Sequence, residues 1–392
     1  MSSRVGPHGG PTLAFVESPV QLLNVLEWAH TAVPTTLDDR PRPATPPAGV
    51  AGPDGSPAGN PPVTPPYEDF TVVVLSPLDP MTRGQLRRMA ELASSEGCTV
   101  RWEEARGGAS APFQTIGGLT PLLRQAERIV IGDPFSRYVQ LLLTLTKVRD
   151  IVVVDDGTAT MEFITQLAEG ERLVRWHRRG GRPSARDLAF GPVSRAARRR
   201  LTPSEGRRVE VFSSMPIDSA PEGVHLSAND FGWTRSRFGP PRLTQGADLV
   251  GTSLVETGVV DLDRYLVAVA ELSAAHQATR YFAHRRESTE KLHRLSAETG
   301  LEIVRPDLPL ELIARRGPIG RTILSFPSTV VHTLPLALAG TEVRVAVCDI
   351  DPAWLTAHAS PRAQGFLSGV TGSARDVQRL GPAPASPGTA AG

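Results

Sequence analysis

Cysteine is nearly absent from this 392-residue chain, which has only Cys98 and Cys348. Two thiols so far apart in sequence make neither a disulfide framework nor a thiolate metal site, and a reducing compartment is the expectation. Lysine is as scarce, at positions 147 and 291 only, so arginine carries almost all of the positive charge. With abundant Ala, Pro and Gly, that is the composition of a GC-rich genome. No apolar run approaches the roughly 20 residues that cross a bilayer. The opening MSSRVGPHGG lacks the apolar core of a signal peptide, so a soluble, cytoplasmic protein is expected. The formal net charge of +1 argues against wholesale nucleic-acid binding. No His, Cys and Asp cluster has metal-ligand spacing, and neither a metal nor another cofactor is expected.

What is present is alternation. A chain of this length with 40% hydrophobic residues normally builds two domains. TLAFVESP reads as a strand, and VQLLNVLEWAH has helical periodicity through Leu22, Leu23, Leu26 and Ala29. Residues 33–66 break every pattern with Pro, Gly, Thr and Ala, and read as a disordered insertion. Alternation resumes with TVVVLSP, the helical TRGQLRRMAELASSEG, CTVRWEE, RIVIGDP and the helical SRYVQLLLTLTKV. A second series begins near residue 247 and runs to EVRVAVCDI, and residues 376–392 read as a disordered tail. Strands alternating with helices mean parallel, helix-covered sheets. The fold class is α/β, with two Rossmann-like domains facing a central cleft, over 11–240 and 241–375.

The densest chemistry lies at IVVVDDGTAT, residues 151–160. Four β-branched residues in a row read as a strand buried on both faces. Asp155 and Asp156 then fall at the strand's carboxyl end, where open α/β sheets place ligands. Adjacent carboxylates raise each other's pKa, which suits one to act as a general base. Gly157 allows a sharp turn and leaves room for a substrate. A plainer reading is a strand-to-helix turn, with Asp156 or Thr158 capping a helix that begins near Thr160.

Three features of the second half occupy similar positions. His284 ends the strand TRYFAH, Glu311 opens the helix LPLELIA, and Ser328 and Thr329 follow the strand RTILSF just before a helix. Hydroxyls at a helix N-terminus suit a phosphate, and a histidine within reach can hydrogen-bond the same group. A carboxylate can accept from a cytosine amino group or a ribose hydroxyl. Each also has a structural reading: a strand-end histidine, a Ser-Thr cap, a first-turn acid, and a surface charge cluster at Arg285, Arg286 and Glu287.

Together these residues resemble the bacterial sialyltransferases of the lipooligosaccharide sialyltransferase and capsule polysialyltransferase type. Asp155-Asp156-Gly157 matches that family's acidic-acidic-Gly motif, His284 its His-Pro motif, and Ser328-Thr329 its Ser-Ser or Ser-Thr pair. VESPVQLLNVLE, DLVGTSLVETGVVDLDRYL and the order Tyr281-Phe282-Ala283-His284, Pro309-x-Glu311, Ser-Phe-x-Ser-Thr are also similar. The likeness runs from residue 12 to about 350, apart from the insertion. It departs at Arg285, where the family usually has Pro, and an arginine there is suited to pair with a donor phosphate or sugar carboxylate.

The resemblance implies a GT-B-like enzyme that transfers sialic acid, or a related nonulosonic acid, from its CMP donor to a glycan hydroxyl. Transfer would be inverting and metal-independent. The first domain would carry the base and acceptor, and the second the nucleotide sugar. Asp155 would take the acceptor proton, with Asp156 supporting it or the acceptor. His284 would hydrogen-bond the CMP phosphate, Gly157, Ser328 and Thr329 would surround that phosphate, and Glu311 would hold the cytidine. Residues 172–200 hold ten Arg and one acid, Asp187. They read either as a mobile surface loop or as a strip in which Arg175, Arg178, Arg179, Arg198 and Arg199 meet an anionic glycan or the inner face of a membrane. A GT-B transferase with another nucleotide sugar and a non-catalytic nucleotide- or glycan-binding paralogue are the alternatives. The sequence leaves the oligomeric state open.

Overall fold

The computed structural model describes residues 10–32, 69–106, 111–155, 157–175, 185–357 and, with gaps, 359–381. The insertion expected over 33–66 lies outside the described residues.

The first domain runs β1 (Thr12–Val16), α1 (Pro19–Ala32), β2 (Phe70–Leu75), α2 (Pro80–Ser95), β3 (Thr99–Glu103), α3 (Ala111–Gln125), β4 (Arg128–Ile131), α4 (Arg137–Leu145), β5 (Asp150–Val154), α5 (Thr158–Ala168), α6 (Ala185–Leu201), β6 (Arg208–Ser213), β7 (Val224–Ala228) and α7 (Gly232–Arg237). Its sheet has the order β3-β2-β1-β4-β5-β6-β7, and every pairing is parallel. β5 shows why an unbroken apolar run forms a central strand. Ile151 and Val153 enter one core layer, and Val152 and Val154 enter the layer on the opposite face, so no residue of the run meets water.

The second domain runs β8 (Leu243–Val250), α8 (Leu262–His276), β9 (Ala278–Phe282), α9 (Thr289–Thr299), β10 (Glu302–Val304), α10 (Leu310–Arg316), β11 (Ile319–Ser325), α11 (Val330–Ala337), β12 (Arg344–Cys348) and β13 (Gln378–Leu380). Its parallel sheet has the order β10-β9-β8-β11-β12-β13. In each sheet the strand order reverses beside the first strand, between β1 and β4 and between β8 and β11. Such switch points open crevices at the carboxyl ends of the strands, and these two crevices face one another. The α/β class and the two Rossmann-like sheets facing a cleft are as expected.

Second-domain residues also enter the first-domain core. Leu308, Leu312 and Ala337 belong to the same buried cluster as Leu23, Leu26, Phe231 and Trp233 of the first domain. Burying each leucine contributes about 1.5–3 kcal/mol. Gln85 donates to the Pro306 carbonyl at 2.8 Å, and Arg315 Nε donates to the Phe238 carbonyl at 3.1 Å.

Three expectations are corrected. The arginine-rich stretch is not a loop throughout, because residues 185–201 form α6. Ser194, Ala197 and Leu201 face inward at helical spacing, and Arg198, Arg199 and Arg200 fill the last turn, where cations complement the helix dipole. The expected tail starts too early, since Gln378–Leu380 pair with β12 as an edge strand. α5 begins at Thr158, two residues before the expected start. Among the described residues, no helix is long and apolar enough to cross a membrane.

Candidate functional site

The two crevices merge into one cleft of about 390 Å³, lined by both domains. Asp155 and Gly157 enter it from the end of β5, and His284 and Arg285 from the end of β9. Glu311 comes from the start of α10, and Ser328 and Thr329 from the turn between β11 and α11.

Asp155 is 1% exposed. Its Oδ1 accepts from Thr160 Oγ1 at 2.6 Å, and its Oδ2 from Ser214 Oγ at 2.9 Å and Ser214 N at 3.2 Å. Its main-chain carbonyl accepts from Asn24 Nδ2 at 2.9 Å, and Asn229 in turn donates to Asn24. Burial raises the Asp155 pKa, against the lowering by Thr160, Ser214 and Ser213. A carboxylate offers about four lone-pair sites, so these bonds leave capacity for an incoming hydroxyl. A raised pKa makes it a stronger base. The side chain is held by these first-domain bonds and lines the cleft.

His284 is fixed by its own turn. Its backbone N–H donates to Glu287 Oε2 at 2.6 Å, and its Nδ1 accepts from the Arg286 N–H at 3.2 Å. These bonds hold the turn that a proline after the histidine would otherwise fix. Nδ1 is the acceptor, so the neutral ring carries its proton on Nε2. Burial, followed by the charges of Arg285, Arg286 and Lys291, pushes the His284 pKa down to about 4. Near neutral pH this histidine is therefore a neutral Nε2–H donor and not an imidazolium.

Glu287 is not part of a surface charge cluster. Its side chain is buried and pairs with Lys291 Nζ at 2.7 Å. Tyr281 donates to Glu287 Oε1 at 2.6 Å, and Lys291 also donates to the Thr252 carbonyl at 3.1 Å. Gly251 faces the same group, and a Cβ there would lie 2.2 Å from Glu287 Oε2. The buried pair thus holds both the His284 turn and the Gly251-Thr252 turn that follows β8.

Ser328 and Thr329 do not cap α11, because the N-cap Thr329 makes no side-chain capping bond. The start of α11, with Ser328 and Thr329, lines the cleft, and a helix start is a position that favours an anion; Ser328 Oγ lies 3.5 Å from Ser325 Oγ. α5 likewise starts at Gly157 without a side-chain cap. The two helix starts meet, and a Cβ on Gly157 would lie 2.8 Å from Thr329 Cγ2. Gly157 also has a φ of +66°, which strains any other residue. Glu311 Oε1 accepts from Thr333 Oγ1 at 2.5 Å. Burial raises the Glu311 pKa, and the facing charge of Asp155 adds to that rise.

No protein-family model matches the chain, and no curated protein matches it in sequence. Among solved structures, it is similar to an α/β-galactoside α-2,3-sialyltransferase of Photobacterium phosphoreum at 8% identity and a TM-score of 0.46. That alignment covers 95% of this chain and 99% of the other. A sialyltransferase of Photobacterium damsela aligns at 11% identity and a TM-score of 0.43, covering 94% and 81%. A Listeria monocytogenes protein assigned as a UDP-N-acetylglucosamine 2-epimerase aligns at 12% and 0.47, covering 95% and 84%. At these values the likeness carries no argument about activity, and the epimerase shares it as fully as the sialyltransferases.

Asp155, Gly157, His284, Arg285, Glu311, Ser328 and Thr329, far apart in sequence, therefore lie around one cleft. Asp156, Arg178 and Arg179 lie outside the described residues. Arg175 lines an adjoining cavity and pairs with Asp133 at 2.9 Å. Arg198 and Arg199 sit in the last turn of α6 and are not among the residues that line the cleft. Among the described residues, no three His, Cys, Asp or Glu side chains are grouped so as to hold a metal ion.

Asn24, Ser214 and Lys291 belong to the site but were not singled out from sequence, and Glu287 was read there only as a surface charge. Two of them left a trace there. Gln21, Asn24 and Glu27 recur every third residue in the largely apolar α1, and all three are buried. Lys291 is one of only two lysines in a chain rich in arginine.

Proposed function

We propose that this chain is a glycosyltransferase that moves sialic acid, or a related nonulosonic acid, from its CMP donor to a glycan hydroxyl with inversion. One observation carries the reading: a buried carboxylate of the first domain faces a phosphate-type corner of the second across a single cleft. Asp155, rendered more basic by burial, takes the proton of the acceptor hydroxyl as that oxygen attacks the anomeric carbon. The bond from that carbon to the CMP phosphate oxygen breaks on the opposite face, and its electron pair stays with the phosphate. The His284 Nε2–H and the open start of α11 at Ser328 and Thr329 stabilise the departing charge. Glu311 holds the cytidine, and Asp156 supports Asp155 or the acceptor.

The test has two parts. Thermal-shift measurements with CMP, UDP and GDP should show stabilisation by CMP, and a preference for UDP or GDP would reject this donor. Incubation with CMP-sialic acid and candidate glycans should release CMP. An Asp155→Asn variant should bind CMP as the wild type does and lose at least about 100-fold in transfer, the scale of lost general-base catalysis. Unchanged turnover in that variant would reject the base assignment.

A further inference from the structure

Behind the His284 turn lies a pair of buried phenols. Tyr281 on β9 and Tyr265 on α8 are both fully buried. Their hydroxyl oxygens lie 2.7 Å apart, and Tyr281 donates to Glu287 Oε1 at 2.6 Å. A phenol has one proton to give, so with that of Tyr281 committed to Glu287, Tyr265 donates to Tyr281. Burial, the largest influence on both, raises their pKa well above the ordinary phenolic value. Both therefore stay neutral O–H donors near neutral pH.

This chain of donors ends on the carboxylate that holds the histidine. Glu287 Oε1 takes Tyr281 and also Lys291 Nζ, while Oε2 takes the His284 N–H at 2.6 Å. The Glu287 N–H donates to the His284 carbonyl at 3.0 Å and closes a β-turn with Arg285 and Arg286 at its corners. The Arg286 N–H reaches His284 Nδ1 from that turn. Lys291 and Tyr281 hold the same oxygen in different ways. An ammonium on a four-carbon stem can follow a carboxylate that rotates, whereas a phenol anchored in a sheet cannot. Lys291 thus supplies the counter-charge, and Tyr281 supplies the direction.

We propose that Tyr281, backed by Tyr265, is a positioning residue for His284: it locks the Glu287 carboxylate in the orientation that keeps His284 Nδ1 on the Arg286 N–H and leaves Nε2–H for the cleft. The turn offers an independent way to restore that geometry. Arg285 is its second residue and has no positive φ, and its N–H donates to no described residue. Proline, favoured at the second position of type I and II turns, fits there without the loss of a hydrogen bond. The effect on rate rests on the proposed transfer, in which His284 faces the leaving phosphate, and the effect on the ring does not.

The experiment compares full-length wild type with Tyr281→Phe, the milder Tyr265→Phe, Tyr281→Phe/Arg285→Pro and Tyr281→Phe/Arg285→Ala. Heteronuclear NMR of the free protein with labelled histidine reads the ring tautomer without substrate, the His284 signals being those lost in His284→Ala. Wild type should show the Nε2–H form, and Tyr281→Phe a mixture of the two tautomers, with Tyr265→Phe between them. The proline variant should return to the Nε2–H form, and the alanine variant should not. In turnover of CMP-sialic acid, Tyr281→Phe should lower kcat at least about tenfold and leave the acceptor KM unchanged, against the roughly 10²-fold cost of a misplacement of about 1 Å. Proline should recover most of that loss and alanine none. A lower melting temperature with the tautomer and kcat both unchanged would make the phenols merely structural and overturn the proposal. Equal recovery with proline and alanine would overturn it too. A tautomer change in Tyr281→Phe, with no turnover of CMP-sialic acid even by the wild type, would support the positioning and reject the transfer.

Discussion

Replacing Lys291 by methionine should be among the most damaging single changes in the second domain. Lys291 and its partner Glu287 are both buried, 2.7 Å apart. Lys291→Met leaves the Glu287 carboxylate charged, desolvated and without its counter-ion. Breaking a buried pair in this way costs about 3–5 kcal/mol. A chain this long loses no more than about 2 °C per kcal/mol, so melting should fall by at most about 6–10 °C. The loss should also depend on pH. Burial raises the Glu287 pKa, and Lys291 is the largest opposing influence, so the variant's carboxyl lies higher still. A carboxyl raised in the folded state costs nothing below its unfolded value of about 4.3, and its cost grows as pH climbs through the folded pKa. The deficit should therefore be smaller at pH 5.5 than at pH 8. Urea unfolding of the wild type, both single variants and Glu287→Gln/Lys291→Met at the two pH values tests this. The double variant should be more stable than Lys291→Met alone, with a coupling of about 2–3 kcal/mol. Additive singles of under about 1 kcal/mol each, with no dependence on pH, would refute the reasoning.

His284 has its pKa pushed down to about 4 in the free protein, and an arriving phosphate would raise it, so CMP binding below about pH 6 should take up a proton. Calorimetry in buffers of different ionisation enthalpy measures that uptake, and His284→Ala should abolish it. His284→Ala should also lower kcat by about 10²–10³, as for loss of a donor to developing charge, and His284→Asn, which keeps an N–H donor, should recover part of it. Gly157→Ala should weaken CMP binding and cost about 1–3 kcal/mol of stability, because its backbone has φ +66° and its Cβ would strike Thr329. An unchanged dissociation constant and melting temperature would contradict that contact. On the acid side, kcat/KM should fall with an apparent pKa above the ordinary aspartate value, because burial raises Asp155, and a rate–pH profile reads it directly.

Strand cores and strand ends were legible because parallel sheets demand continuous apolar runs, and such runs stop where the ligand crevices begin. Ile151–Val154 and the residues after it are the example. α6 was hidden by composition. Ala197 and Leu201 are a thin apolar stripe among arginines, and its packing against the first domain is a tertiary fact that local periodicity does not reveal. Glu287 was misread for a related reason. Beside two arginines it resembles a solvated charge, and only its pairing with Lys291, one turn into α9, turns it inward. The Ser-Thr pair showed the converse. Its spacing suits a cap, yet the N-cap Thr329 of α11 makes no side-chain capping bond.

The insertion of Leu308, Leu312 and Ala337 into the core of the first domain bears on how the molecule can come apart. A chain cut between α7 and β8 would leave Phe231, Trp233 and part of α1 without their apolar cover, and the freed half would be prone to aggregate. Heating the intact protein should accordingly produce one calorimetric endotherm in place of two. A nucleotide held only by the second domain should then raise the melting of the first as well.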